Sequence, residues 1–232
     1  MKYAIYGAGS LGTVLGAYIS KKGINIDLIN RNIAHVEALN KNGAKITGGI
    51  EMTVPVRAFT TDEVTDGYDI VFLLTKQQQN KEASVFIKNH LSENGIVVTL
   101  QNGIPEPDLE KYFGKEKVIG CTVEWGATLK SPGVCEFTSD PSPEKLSFRT
   151  GHNRYVPKEM FDAATGLLSV MGPVHISDNF MGDRWSKLLI NATFGSDKKI
   201  AVHAAIFSCI SDASSAVLSF FFFGRVRSSF PV

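Results

Sequence analysis

Net charge is nearly absent from this chain of 232 residues, which carries 24 lysines and arginines against 23 aspartates and glutamates, a formal charge of +1. A strong basic balance is the usual electrostatic signature of proteins that bind nucleic acid or an acidic membrane surface. We therefore expect neither as a partner. The hydrophobic share of 44% and the charged share of 20% are ordinary for a globular protein.

Cysteine is scarce and scattered: Cys121, Cys135 and Cys209 form no CxxC pair. The five histidines also stand alone, with none at the spacing of metal ligands. This pattern predicts no metal site and no disulfide framework, and lone histidines are usually hydrogen-bonded structural groups. A chain without disulfides suits a reducing cytoplasm, which is the compartment we expect.

Long apolar runs are missing too. A membrane-spanning helix needs about 20 consecutive apolar residues, and this sequence has no run of that length. The segment from Ala216 to Phe223 ends in four phenylalanines but is too short to span a bilayer. We interpret it as a buried or misplaced apolar segment and expect no membrane partner. The short apolar run at the N-terminus is typical of a strand and not of a signal peptide.

Strand and helix patterns alternate through the first part of the chain. Strands are predicted at residues 2–6, 24–29, 44–60 (broken at Gly48-Gly49), 68–75 and 96–100, with helices at 11–22, 33–42 and ahead of residue 91. Such alternation indicates a doubly wound α/β sheet. Residues 118–148 are rich in strands and turns, and helical patterns follow at 157–171 and 179–194. We predict an α/β Rossmann domain over residues 1–165 and a smaller, incomplete all-helical domain over 166–232.

The strongest motif is the glycine loop Gly7-Ala8-Gly9-Ser10-Leu11-Gly12, which follows a predicted strand and opens a predicted helix. In a dinucleotide-binding turn the first glycine permits the tight turn, the second lets the backbone approach the pyrophosphate, and the third lets helix and strand pack closely. The helix N-terminus then offers free N–H groups to the phosphates. The alternative interpretation is an ordinary glycine-rich turn.

The end of the second predicted strand bears on the choice between NAD and NADP. An NAD site places a carboxylate there to bind the ribose 2′-hydroxyl, whereas this chain has Asn30 and Arg31. Arg31 can pair with a 2′-phosphate through its planar guanidinium group, so we predict NADP. A solvated surface arginine is the alternative.

Three further segments carry candidate site residues. Lys76 and Asn102 follow two buried strands, at the edge where ligands bind in open α/β sheets; a loop lysine and a turn-forming Asn-Gly pair are the alternative. Lys187 and Asn191 are four residues apart, on one face of a predicted apolar helix. They either face a cleft, where desolvation would lower the lysine pKa for acid chemistry, or form the solvated edge of an amphipathic helix.

Taken together, these motifs resemble the ketopantoate reductase (2-dehydropantoate 2-reductase) family. The matching residues are GAGSLG at 7–12, Asn30-Arg31, Thr75-Lys76, LQNGI at 100–104 and WSKLLIN at 185–191, within residues 1–194. The resemblance implies NADPH-dependent reduction of a small 2-keto acid, ketopantoate, to pantoate, on the route to pantothenate and coenzyme A. It also favours a homodimer.

By the same resemblance, Lys187 is the general acid that protonates the developing alkoxide. Asn102 and Lys76 line the nicotinamide and substrate cleft, and Asn191 positions the substrate. Arg31 holds the 2′-phosphate, and Gly7, Ala8, Gly9, Ser10, Leu11 and Gly12 hold the pyrophosphate.

The chain also departs from the family pattern. Gly195 stands where the family helix has a second Asn, and no match is found for a family Ser and Glu of the substrate site. We hypothesise that the helical domain is truncated or frame-shifted after residue 195. Two alternatives stay open: a reductase of another small 2-keto or 3-hydroxy acid, and a non-catalytic NADP-binding protein.

Overall fold

The structure is a computed structural model that describes residues 1–65 and 67–194. Twelve strands are found in these residues: β1 (Tyr3–Tyr6), β2 (Asp27–Ile29), β3 (Ala44–Gly48), β4 (Met52–Val54), β5 (Arg57–Phe59), β6 (Tyr68–Leu73), β7 (Leu91–Thr99), β8 (Val118–Val123), β9 (Ala127–Ser131), β10 (Val134–Phe137), β11 (Phe148–Gly151) and β12 (Val174–Ser177). The helices are α1 (Ser10–Lys21), α2 (Ile33–Asn42), α3 (Asn80–His90), α4 (Glu106–Phe113), α5 (Lys158–Ser169) and α6 (Phe180–Phe194).

Eight strands form the main sheet, in the order β12-β11-β8-β7-β6-β1-β2-β5. All neighbouring pairs from β5 to β8 are parallel, and the antiparallel β8–β11 pair extends the sheet. The chain runs outward from β1 in one direction through β2 and β5, and in the other through β6, β7 and β8. The point where the order reverses, between β1 and β6, is where Rossmann folds bind dinucleotides, beyond the carboxyl ends of the strands.

Alternate residues of the central strands pack into two separate hydrophobic clusters, one on each face of the sheet. In β1, Ile5 belongs to one cluster and Ala4 to the other; in β6, Phe72 and Val71 divide in the same way. Helices α1, α2 and α5 bury apolar residues in the first cluster, while α3 and α4 do so in the second. Coverage of both faces explains why these strands are apolar throughout. The predicted doubly wound α/β fold is confirmed.

A second sheet, of order β4-β3-β10-β9, packs against α1. Its β3–β4 hairpin confirms the predicted break at Gly48-Gly49, and β3 also pairs in parallel with β10. Gly48 has a φ of 89°, and a Cβ placed there would lie 2.5 Å from the Phe137 carbonyl oxygen. Glycine is therefore required where the hairpin turns beside β10.

The described residues form one compact unit from Met1 to Arg184, and a separate unit begins at Trp185. The predicted division at residue 165 falls inside α5, within the first unit. The predictions about Gly195, the tail after residue 195 and the Phe220–Phe223 run concern residues outside those that the structure describes. Within the part of the chain that is described, no helix is long and apolar enough to cross a membrane, and no cluster of three or more metal-ligating side chains occurs.

Candidate functional site

The glycine loop leaves β1 in a tight turn held by the neighbouring strand. The amide groups of Gly7 and Ala8 both donate to the Ile29 carbonyl oxygen at the end of β2, at 3.0 Å each. Gly7 has a φ of 92°, and a Cβ at this position would lie 2.7 Å from the Thr75 amide nitrogen. Glycine is thus required here both by conformation and by the close approach of the loop after β6.

The lack of a side chain matters at both Gly12 and Gly9, for different reasons. A Cβ on Gly12 would lie 2.9 Å from the Gly7 carbonyl oxygen, so this residue lets α1 pack against the turn. A Cβ on Gly9 would meet no atom nearer than the Gly7 oxygen at 4.0 Å, so the chain itself leaves room there. A side chain at Gly9 would project into the space outside the loop, where the pyrophosphate of a dinucleotide would approach.

The N-terminus of α1 borders the same space. No side chain caps it and no acidic residue lies in its first turn, which begins at Ser10 and continues through Leu11. The first N–H groups of a helix have no partner within the helix and carry a partial positive charge, so they favour an anion. An uncapped helix start beside the open position at Gly9 fits the phosphates of a dinucleotide.

Three donors converge on the Ala8 carbonyl oxygen. They are Asn30 Nδ2 at 2.8 Å, His35 Nε2 at 3.0 Å and the Thr13 hydroxyl at 3.2 Å. Asn30 follows β2, His35 lies in α2 and Thr13 lies in α1, so three elements fix one peptide group. The conformation of the glycine loop is therefore set by side chains outside the motif.

Arg31 is exposed at the carboxyl end of β2, in reach of the loop after β6. Its two terminal nitrogens donate to the Gln79 side-chain oxygen at 3.0 and 3.1 Å, in the amide orientation that satisfies both groups. Burial and the nearby Glu82 carboxylate raise the pKa of Tyr6, and the Arg31 charge opposes this. Strand β2 does carry a carboxylate, Asp27, but this residue is the first of the strand and so lies at the opposite end of β2 from Arg31. It pairs there with Arg57 at 3.2 Å.

The loops after β6 and β7 are joined by one buried amide. Gln101 Nε2 donates to the Thr75 carbonyl oxygen at 2.9 Å and to Asn80 Oδ1 at 2.8 Å. Gln77 Nε2 donates to the Asn102 carbonyl oxygen, while the Asn102 side chain is exposed. Lys76 is exposed in the facing loop. The structure therefore brings the glycine loop, Arg31, Lys76 and Asn102 to one edge of the sheet.

A buried ion pair holds the other side of the β7 loop. The Arg184 side chain is 1% exposed and donates through Nε to Glu106 Oε1 at 2.9 Å, and through a terminal nitrogen to the same oxygen. Its other terminal nitrogen donates to the Gln101 carbonyl oxygen at 2.6 Å. Gly120 admits the pair, because a Cβ there would lie 2.2 Å from Glu106 Oε1.

Lys187 and Asn191 both lie in α6, as the helical pattern predicts. Lys187 is half-buried and Asn191 is exposed. Both follow Arg184 in the chain and belong to the unit that begins at Trp185. Their roles in catalysis and substrate binding stay predictions.

The sequence does not predict five side chains that shape this end of the sheet: His35, Gln79, Gln101, Arg184 and Glu106. Gln101 lies in the LQNGI segment, directly after a predicted buried strand, and this position could have marked it as a site residue. Arg184 and Glu106 are 78 residues apart, and no local pattern relates them. The sequence predicts that His35 is a hydrogen-bonded structural histidine, which its three polar contacts confirm, but it does not predict the contact with the glycine loop.

The strand order and the glycine loop at the sheet reversal define a Rossmann-type protein with the features of a dinucleotide site. A family model described as Ketopantoate reductase PanE/ApbA matches residues 3–147. The chain belongs to this family of oxidoreductases.

Individual relatives agree with that assignment. The chain is 30% identical to a 2-dehydropantoate 2-reductase of Pyrococcus abyssi and 31% identical to one of Pyrococcus horikoshii, each over 83% of this chain and 61% of the relative. A solved structure of D-mandelate dehydrogenase with NADH and anilino(oxo)acetate aligns with a TM-score of 0.73 at 25% identity, covering 83% of this chain and 62% of the other. The chain thus spans about three fifths of the length of these relatives.

Proposed function

We propose that this protein is an NADPH-dependent reductase of a small 2-keto acid, with ketopantoate as substrate and pantoate as product. The observation that carries the nucleotide part is Gly9, where the chain leaves space beside an uncapped helix N-terminus. The relatives named 2-dehydropantoate 2-reductase support the substrate. When bound, the nicotinamide supplies the hydride for reduction of the keto group.

We assign the roles of the residues from the family motifs, and for the glycine loop, Arg31, Lys76 and Asn102 their common position at one end of the sheet supports the assignment. Gly7, Ala8, Gly9, Ser10, Leu11 and Gly12 hold the pyrophosphate through backbone N–H groups, and Arg31 holds the 2′-phosphate. Lys76 and Asn102 orient the nicotinamide ribose and the substrate at the sheet edge. Lys187 donates the proton to the alkoxide oxygen, and Asn191 positions the substrate. We also propose that the protein acts in the cytoplasm as a homodimer.

The D-mandelate dehydrogenase neighbour favours a second candidate, a reductase of another 2-keto acid, since that enzyme is similar over 83% of this chain. Fold alone does not choose the substrate. Parallel assays with ketopantoate and with aryl and alkyl 2-keto acids decide between the two candidates through the ratios of kcat/KM.

Replacing Lys187 by alanine is expected to lower kcat by about 10²- to 10⁴-fold, the range that a positioned general acid contributes. NADPH oxidation in the presence of ketopantoate measures it. Lys81→Ala, an exposed lysine of α3, is the matched control and should retain full turnover. If wild-type protein binds NADPH yet turns over no keto acid, the non-catalytic alternative replaces the reductase. If Lys187→Ala turns over normally, lysine is not the acid.

Replacing Arg31 by alanine is expected to weaken NADPH binding about 10- to 100-fold and to leave NADH binding unchanged. The loss corresponds to about 1.5–3 kcal/mol for hydrogen bonds to a charged group. Titrating nucleotide fluorescence with both cofactors measures the change in preference. An equal loss for NADPH and NADH would contradict the assignment of Arg31 to the 2′-phosphate.

A further inference from the structure

His35 joins the glycine loop to the second sheet. It is fully buried, and its Nε2 contacts the Ala8 carbonyl oxygen at 3.0 Å and the Thr13 hydroxyl at 3.2 Å. Its Nδ1 lies 3.0 Å from the amide nitrogen of Gly133, in the turn between β9 and β10. One imidazole therefore contacts α1, the nucleotide-binding turn and the neighbouring sheet.

These contacts define the state of the ring. A backbone N–H can only donate, so Nδ1 accepts from Gly133, and the single proton of the neutral imidazole stands on Nε2. That proton is then directed at Ala8. A second proton would have to sit on Nδ1, facing the Gly133 N–H, and the contact with the turn would be lost.

We propose that neutral His35 is a positioning residue of the nucleotide site, which holds the glycine loop in its binding conformation through the Ala8 carbonyl. This inference rests on the nucleotide binding proposed above and adds a residue outside the glycine motif. Gly9 follows Ala8 directly and is the N-cap residue of α1, where it makes no side-chain cap. A shift of the Ala8 peptide would therefore move the N–H groups assigned to the phosphates.

The proposal includes a dependence on pH. Burial lowers the pKa of His35 from 6.5, and the hydrogen bond to Ala8 opposes that effect. The groups that face the ring are the Ala8 carbonyl, the Thr13 hydroxyl and the Gly133 amide, all uncharged. Cys135 of β10 contacts Thr13, and burial raises the pKa of its thiol to about 11, so it stays neutral. Because the folded pKa is below the unfolded one, the neutral form and its contacts are complete at pH 7.5 and are lost as acid protonates the ring.

Two substitutions separate the contacts of the two ring nitrogens. The amide of His35→Gln reaches the position of Nε2 and can still donate to Ala8, whereas that of His35→Asn reaches only the position of Nδ1 and can accept from Gly133. Neither side chain titrates. Calorimetry with NADP⁺ on the full chain, from pH 7.5 to 4.5, gives the dissociation constants. Comparing wild type with variants at each pH cancels the titration of the nucleotide phosphate.

At pH 7.5 we expect His35→Gln to bind NADP⁺ within about twofold of wild type and His35→Asn to bind about 3- to 10-fold more weakly, the effect of one hydrogen bond. Because burial holds the pKa of His35 below 6.5, the wild-type affinity relative to His35→Gln should stay level from pH 7.5 to 6.5 and should fall, by up to about 3- to 10-fold, only under more acid conditions. If both variants bind NADP⁺ as tightly as wild type does at every pH, the inference is overturned and the proposed function stands. Tighter binding by His35→Asn than by His35→Gln would overturn the role of Ala8. A wild-type protein that binds neither NADP⁺ nor NAD⁺ would overturn the proposed function itself.

Discussion

Replacing Gly9 by alanine is expected to weaken NADPH binding about 10- to 100-fold while lowering the thermal unfolding temperature less than Gly7→Ala does. The added methyl group meets no protein atom within 4.0 Å, so the fold accepts it. It would instead occupy the space to which we assign the pyrophosphate, and overpacking of this kind costs about 1–3 kcal/mol. Fluorescence titration with NADPH and a thermal melt measure the two quantities separately.

Two other glycines act as controls for Gly9→Ala. Gly166 lies in α5 with nothing near its Cβ position, so Gly166→Ala should leave binding unchanged and stabilise the helix slightly. Gly7→Ala should destabilise the fold, because its Cβ would meet the Thr75 backbone at a φ of 92°. Normal NADPH affinity in Gly9→Ala would show that the nucleotide does not approach this turn, and the proposed function would lose its main support.

Replacing Arg184 by methionine is expected to lower the free energy of unfolding by about 3–5 kcal/mol, the usual cost of stranding one partner of a buried ion pair. The pair is well shielded, with side chains 1% and 12% exposed. Removing the guanidinium group leaves the Glu106 carboxylate buried without its counter-charge. It also leaves the Gln101 carbonyl without this donor, next to Asn102. Urea unfolding followed by circular dichroism measures the loss.

The double variant Arg184→Met with Glu106→Gln tests the cause of that loss. Replacing the charged partner by a neutral amide should recover much of the stability, because the buried charge is no longer present. Lys158→Met is the matched control, since its ion pair with Asp162 is exposed and such pairs contribute little. Equal stability of the Arg184→Met variant and wild type would show that the pair does not hold the β7 loop.

Local pattern was sufficient to predict most elements of the Rossmann domain. Helix α2 begins at Ile33 and ends at Asn42 as predicted, since Asn32 caps it and Gly43 follows with a φ of 75°. Both signals act within a few residues, so they can be read along the chain. Boundaries were less accurate where pairing decides them: β2 begins at Asp27 and not at Ile24, while β7 extends back to Leu91.

The alternation of strands and helices, the glycine loop and the polar residues at the strand ends could all be predicted from sequence, because each depends on residues that are neighbours in the chain. Tertiary structure decided what surrounds them. The parallel pairing of β3 with β10, the three donors to the Ala8 carbonyl and the Arg184–Glu106 pair each join segments far apart in the chain. Such contacts depend on how the whole sheet assembles, and residues that no local pattern marks hold the glycine loop in place.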